Sequence, residues 1–231
     1  MLKKLPLLFF LIASVSCDDD PPTTPGNTTT TTTTAPATSG GALLRGAQLN
    51  EDARTVDLVV NGQEVATNIP YAGVGPYAEL DPGDYRVQFF PAGDRSSALI
   101  ETRVTLSSGQ ALTVALLGVT FDTFVLTDDR TTRADRARVR FMNAVPDYPA
   151  PFDLAIENGP GLFSNVGYLQ ATGYDELIPG GYNLVLRRAA STEEVATLAG
   201  QNLSTGSNYT LFAVGTLRRN DIELFVARDG N

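Results

Sequence analysis

The reactive inventory of this chain is short. It contains no histidine, one cysteine (Cys17) and two lysines, Lys3 and Lys4, both at the extreme N-terminus. Without histidine, Ser-His-Asp and Cys-His nucleophile systems are excluded, together with any His-ligated zinc, copper or iron site. Carboxylates are what remains. Glycoside hydrolysis needs two of them about 5–10 Å apart across a cleft. Glu79 and Glu176 are the first candidates, with Asp81, Asp84 and Asp175 beside them and Asp57 and Asp153 as a second corresponding pair. Calcium at the acidic turn would call for a D-x-[DN]-x-[DN]-G spacing, which is absent. No metal or cofactor is therefore expected.

Tyrosines supply the other candidate surface. Tyr71, Tyr77 and Tyr85 have counterparts in Tyr168, Tyr174 and Tyr182. Tyr85 and Tyr182 fall on inward-facing rows and belong to a core, whereas Tyr77 and Tyr174, with Glu79 and Glu176, form a candidate binding surface for sugars or proteins.

What positions these residues is a duplication. Tyr77-Ala-Glu-Leu-Asp-Pro-Gly-Asp-Tyr85 returns 97 residues later as Tyr174-Asp-Glu-Leu-Ile-Pro-Gly-Gly-Tyr182, and from Thr67 to Tyr85 that offset gives eight identities in nineteen positions. Thr113–Gly118 matches Thr210–Gly215 at the same offset, and an offset of 96 aligns Val56-Asp-Leu with Phe152-Asp-Leu. Two homologous modules follow. Equivalence by duplication assigns Glu79 and Glu176 to different modules, which makes them poor partners in one acid–base pair; solvated acids, or acceptors for turn amides, are the plainer role. Pro82-Gly83 and Pro179-Gly180 predict type II turns, with the glycine at positive φ, at a hairpin or sheet crossing.

The apolar period throughout both modules is two, the signature of strands. Val56, Leu58 and Val60 alternate with Asp57 and Val59; Tyr85, Val87 and Phe89 alternate with Arg86 and Gln88; Asn61-Gly62 is a two-residue hairpin signal. No helical stripe occurs. Short strands at about ten-residue spacing predict an all-β chain of two tandem antiparallel sandwiches, immunoglobulin-like or prealbumin-like, of roughly seven strands each. The modules span residues 42–129 and 138–231, and the charged stretch from Asp128 to Arg136, with the linker proper at 130–137, reads as a solvated hinge.

Ahead of them lies an export signal, residues 1–17. Lys3 and Lys4 precede a short apolar run from Leu5 to Ala13, too short to span a bilayer. Ser14-Val-Ser-Cys17 resembles a bacterial lipobox and assigns lipidation to Cys17, although Ser14 stands where leucine is usual. Residues 18–41 hold nothing apolar larger than alanine or proline and include an unbroken Thr28–Thr34 run, the composition of a disordered tether. Its 24 residues reach about 27 to 75 Å, from coiled to extended. A lone cysteine allows no intrachain disulfide, so the modules must hold by packing. Beyond Cys17, 15 arginines face 26 acidic residues. That balance argues against nucleic acid or an anionic lipid surface as partner.

Arg140-Phe-Met-Asn-Ala-Val-Pro-Asp147 followed by Phe152-Asp-Leu, the Leu-x-Pro-Gly-x-Tyr turn, and Gly206-Ser-Asn-Tyr-Thr210 ending at Gly215 together resemble the bacterial family called domain of unknown function 4397. The resemblance covers nearly all of residues 43 to 229 and implies secreted or lipid-anchored proteins built of tandem β-sandwich modules; it brings no catalytic residues. The first module departs from it, with Leu49-Asn-Glu51 in place of Val145-Pro-Asp147 and Ala111-Leu112 in place of Asn208-Tyr209.

These features lead to one expectation. The chain is a non-catalytic protein of the cell envelope, anchored in the outer membrane through Cys17, whose modules bind a surface polymer or protein. The alternatives are a purely structural spacer or accessory subunit, and a carboxylate enzyme acting on an envelope polymer.

Overall fold

A computed structural model describes residues 41–230, so the signal, Cys17 and all but the last residue of the tether expected at 18–41 lie outside the described residues. The first module contains β1 (Ala42–Gln48), β2 (Val56–Val60), β3 (Gln63–Ile69), β4 (Gly73–Val74), β5 (Ala78–Leu80), β6 (Gly83–Pro91), β7 (Ile100–Leu106), β8 (Ala111–Leu117) and β9 (Asp122–Thr127). The second repeats them as β10 (Ala137–Asn143), β11 (Phe152–Ile156), β12 (Gly161–Val166), β13 (Gln170–Ala171), β14 (Asp175–Leu177), β15 (Gly180–Arg188), β16 (Glu194–Leu203), β17 (Asn208–Val214) and β18 (Glu223–Arg228). Each module is a two-sheet sandwich. In the first, β4-β1-β8-β9, with β5 also on β1, faces β3-β2-β6-β7; in the second, β13-β10-β17-β18, with β14 on β10, faces β12-β11-β15-β16.

Among the described residues, all strand pairings are antiparallel except β1 with β8 and β10 with β17, which run parallel. The strands beyond the predicted seven are β4 and β5 and their counterparts, two or three residues each, too short to leave an alternating pattern. The Asn61-Gly62 hairpin forms as predicted, with both residues at positive φ (49° and 81°) and Val60 paired to Gln63. The predicted inward rows fill the cores: Val56, Leu58, Val60, Val87, Phe89, Leu112, Val114 and Leu116 in one, and Phe152, Leu154, Leu184, Leu186 and Leu211 in the other.

The type II turns do not form. Gly83 and Gly180 are absent from the positive-φ residues and instead open β6 and β15. The Pro-Gly segment carries the chain from one sheet of the sandwich to the other, β5 pairing with β1 and β6 with β2. What fixes the crossing is the tyrosine that follows: the Tyr85 hydroxyl donates to the Asp81 carbonyl (2.7 Å) and that of Tyr182 to the Ile178 carbonyl (2.5 Å). Positive φ falls elsewhere in the repeat, at Asn68 (55°) and Asn165 (57°), where the register of β3 and β12 slips. Asparagine is the non-glycine residue best suited to that region.

The hinge expected between modules is also absent. A third apolar cluster, with Ala47, Leu49, Ala115, Leu117 and Leu126 from one module and Met142, Ala144, Phe212, Val214 and Ala227 from the other, joins the outer faces of the β1-β8 and β10-β17 sheets. β8 and β17 are consequently buried on both faces, which accounts for their near-continuous apolar runs. The connector itself is tied down. Asp128 is buried, Asn208 donates its side-chain amide to the carbonyls of Asp129 (2.6 Å) and Thr131 (3.1 Å), and Arg138 pairs with Asp129 (2.7 Å).

Candidate functional site

At the centre of the shared layer the sequence places charges. Arg45 on β1 and Arg140 on β10 sit among apolar neighbours and are 2% and 3% exposed. Each reaches into the other module: Arg45 pairs with Asp229 just beyond β18, and Arg140 pairs with Asp128 just beyond β9. Arg45 Nε donates to Thr113 Oγ1 (2.8 Å), whose hydroxyl donates to Asp128 Oδ2 (2.6 Å); Arg140 Nε donates to Thr210 Oγ1 (2.8 Å), which donates to Asp229 Oδ2 (2.7 Å). The remaining guanidinium arms donate to the carbonyls of Arg228 (2.7 Å) and Thr127 (2.9 Å).

Tyr77 and Tyr174 close the circuit. The Tyr77 hydroxyl donates to Asp128 Oδ2 (2.7 Å) while Arg45 lies 4.5 Å over its ring; the Tyr174 hydroxyl donates to Asp229 Oδ2 (2.7 Å) with Arg140 4.8 Å over its ring. Burial, with the adjacent aspartates adding to it, pushes both phenols well above the ordinary tyrosine range. These two rings were expected on a binding surface. They are instead half-buried parts of an intermodule ring of arginine, tyrosine and aspartate in which every polar group finds a partner, the condition for such a network to be tolerated. The four charged members escaped sequence reasoning. Their signal was present: an arginine inside an apolar strand in each copy, and a threonine, 113 or 210, at the same place in both doubly buried strands.

The carboxylates expected to do chemistry are dispersed. Glu79 lies exposed on β5, and Glu176 on β14 accepts from Arg133 Nε (2.9 Å). Asp57 and Asp153 have structural work. Each accepts the backbone N–H of the positive-φ asparagine, Asn68 (2.8 Å) or Asn165 (2.7 Å), and a second N–H from Gly93 (2.9 Å) or Ala190 (3.1 Å). Asp147 of the Val-Pro-Asp motif accepts the N–H groups of Leu217 (2.7 Å) and Arg218 (3.2 Å), binding the β10–β11 loop to the β17–β18 loop. Among the described residues no three His, Cys, Asp or Glu side chains are placed to hold a metal ion.

The open surfaces lie on the sheets facing away from the shared layer. A depression of about 460 Å³ on β6 and β7 is lined by Asn61, Asp84, Tyr85, Arg86, Arg103, Val104 and Thr105, and one of about 290 Å³ lies on the second module beside Asp153, Phe163 and Arg187. Strand direction also gives the molecule two poles. β1, β8, β10 and β17 all end where Leu49, Gly118, Ala144 and Gly215 meet, and their starts, with residue 41, lie at the opposite end. At the loop pole Arg219 of the second module pairs with Glu51 and Asp52 of the first.

A family described as "Domain of unknown function (DUF4397)" matches residues 42–155 and again 137–231. No curated protein matches the sequence. Among solved structures, the chain is similar to the Bacillus anthracis TIE protein at 14% identity and a TM-score of 0.25, covering 77% of this chain and 34% of that one. It is also similar to CBMbc, a family CBM26 module of Eubacterium rectale Amy13K in complex with maltoheptaose, at 12% identity and a TM-score of 0.28, covering 83% and 98%. The chain thus spans about a third of the length of the first of these structures.

Proposed function

The chain belongs to the DUF4397 family across both of its modules, and we propose that it is a non-catalytic, lipid-anchored envelope protein that presents the fused sandwich pair for binding to a surface polymer or protein. The observation that carries this reading is the polarity of the fold. The chain leaves the proposed tether into the start of β1, while the loops that follow β1, β8, β10 and β17 gather at the opposite pole and the outer sheets stay open along the sides. Loops held at one end of a rigid sandwich are the usual place for recognition. The shared layer holds the modules as one body, so both outer sheets are presented in a fixed relation. The same rigidity favours the second reading, a structural spacer.

Pull-down of envelope polysaccharides and proteins by the purified full chain, with a parallel assay for polymer breakdown, separates the readings. Saturable capture without breakdown is the expected result. No capture of any envelope component leaves the spacer, and breakdown that disappears in Glu79→Gln or Glu176→Gln installs the enzyme.

A further inference from the structure

We propose that Arg86 and Arg103, on the open face of the β6-β7 ladder, bind the carboxylate groups of an acidic polysaccharide, a proposal that rests on the binding-module reading and names its ligand class. The two arginines stand directly opposite each other across the strands. Like charges in that position destabilise a sheet. The rungs on either side show the ordinary solution: Thr105 donates to Asp84 (2.6 Å), and Gln88 donates to Glu101 (3.1 Å). Only the middle rung is a like-charge pair. Arg86 shares Glu101 (3.1 Å), whereas the Arg103 side chain makes no hydrogen bond or ion pair among the described residues.

The duplication provides an internal comparison. At the equivalent positions the second module carries Asn183 and Gly200, and the Asn183 side-chain oxygen accepts the Gly200 N–H (2.8 Å), closing that rung on itself. The first module keeps two exposed cations there, in a chain of net charge −9, and next to a depression of about 460 Å³. That volume lies within the range of about 300–1,000 Å³ usual for small-ligand sites.

Guanidinium forks match a carboxylate bidentately. Around them Asn61, Asp84 and Thr105 offer donors and acceptors suited to sugar hydroxyls. Its lining also includes the half-buried Tyr85 and the buried Val104, so the apolar anchor it offers is small and polar side chains dominate, which favours a polyhydroxylated ligand over a peptide. The acidic balance of the chain disfavours a polyanion at long range, but at about 0.15 M ionic strength charges are screened beyond about 8 Å. Of the nearby carboxylates, Asp84 is held by Thr105 and Glu101 by Gln88 and Arg86, which leaves Arg103 as the uncompensated cation.

The test is titration of the purified full chain at about 0.15 M ionic strength with trigalacturonate, maltotriose, inorganic phosphate and a triglutamate peptide. Trigalacturonate should bind saturably and maltotriose should not. Arg103→Gln and Arg86→Gln should each weaken binding by about tenfold or more while leaving the melting temperature close to that of the parent, because each removes a like-charge contact and the Glu101 ion pair that Arg86→Gln also removes is exposed and worth little. Arg136→Gln in the connector should bind as the parent does. Equal binding of maltotriose, phosphate or triglutamate overturns the assignment, as does trigalacturonate binding that survives Arg103→Gln. If trigalacturonate fails while the full chain still captures another envelope component, this site falls and the binding-module reading stands; if nothing is captured in either assay, both fall.

Discussion

Arg45 in the first strand and Asp229 at the far end of the chain, 184 residues apart, form a buried ion pair whose mirror image is Arg140 with Asp128. Each module contributes one arginine and one aspartate to the other's. The arrangement is that of a two-fold symmetric dimer interface, in which the same patch is used twice, realised here within one polypeptide. Duplication of a single self-complementary module would produce it directly.

Breaking one half of this circuit should be costly. Arg45→Met leaves Asp229 charged and buried with only hydroxyl donors, and loss of one partner of such a pair costs about 3–5 kcal/mol. Arg45→Met combined with Asp229→Leu should recover much of that loss, since no charge remains unmatched. Chemical denaturation of the three proteins measures it, and a loss below about 1 kcal/mol for the single variant contradicts the buried geometry. The parent should unfold in one transition rather than two, because the modules share a core.

The repeated Pro-Gly segment makes a contrasting prediction. A Cβ on Gly180 would meet nothing within 4 Å, and one on Gly83 would touch only Tyr85 at 3.9 Å. With neither residue at positive φ, Gly83→Val and Gly180→Val should leave stability within about 0.5 kcal/mol of the parent. Asn165→Val, which forces a β-branched residue into the left-handed region, should cost about 1–3 kcal/mol. Thermal melts that rank the glycine variants below the asparagine variant would reverse this account.

Those two outcomes show what the sequence carried and what it hid. Strand rows such as Tyr85-Val87-Phe89 were legible because one face of the sheet meets a core and the other meets water, and period-two alternation records that difference. Module pairing was not legible in the same way. In β8 and β17 both faces are buried, alternation vanishes, and Ala115 or Phe212 reads as generic strand. The Pro-Gly dipeptide misled because its residue types fit a turn in isolation, while the tyrosine hydroxyl two residues on sets the crossing geometry. Tyr77 and Tyr174 were found as a pair. Their partners Asp128 and Asp229 stand at offsets of 51 and 55 residues, and no local pattern links residues so far apart.

Anchoring is a separate prediction, resting on residues 14–17. Cys17→Ala should release the protein into soluble fractions or leave the precursor unprocessed, since stable anchoring needs more than one acyl chain and a cysteine lipobox supplies the attachment point. Fractionation of cells expressing the variant reads this directly. Protease shaving of intact cells then reports whether the modules face outward. A normally processed, membrane-bound Cys17→Ala protein removes the anchor from the account.

Acid sensitivity should localise to the connector. Hydrogen bonding from Arg138 is the main influence lowering the Asp129 carboxyl to about 2; partial burial opposes it, and the Thr131 N–H adds to the lowering. A carboxylate whose folded pKa is depressed stabilises the fold fully above its unfolded value near 3.8, and that stabilisation is lost as pH falls toward the folded value. The contribution of Asp129 is therefore complete at pH 5 to 7 and fades between about 3.8 and about 2. Asp129 is partly exposed, so solvent screening keeps the effect modest. Asp129→Asn should be less stable than the parent at pH 7, with the gap closing as pH approaches 2, and denaturation curves collected across that range test it. A gap that stays constant from pH 7 to pH 2 would show that the substitution acts through the Thr131 hydrogen bond or the fold of the connector, and not through the charge held by Arg138.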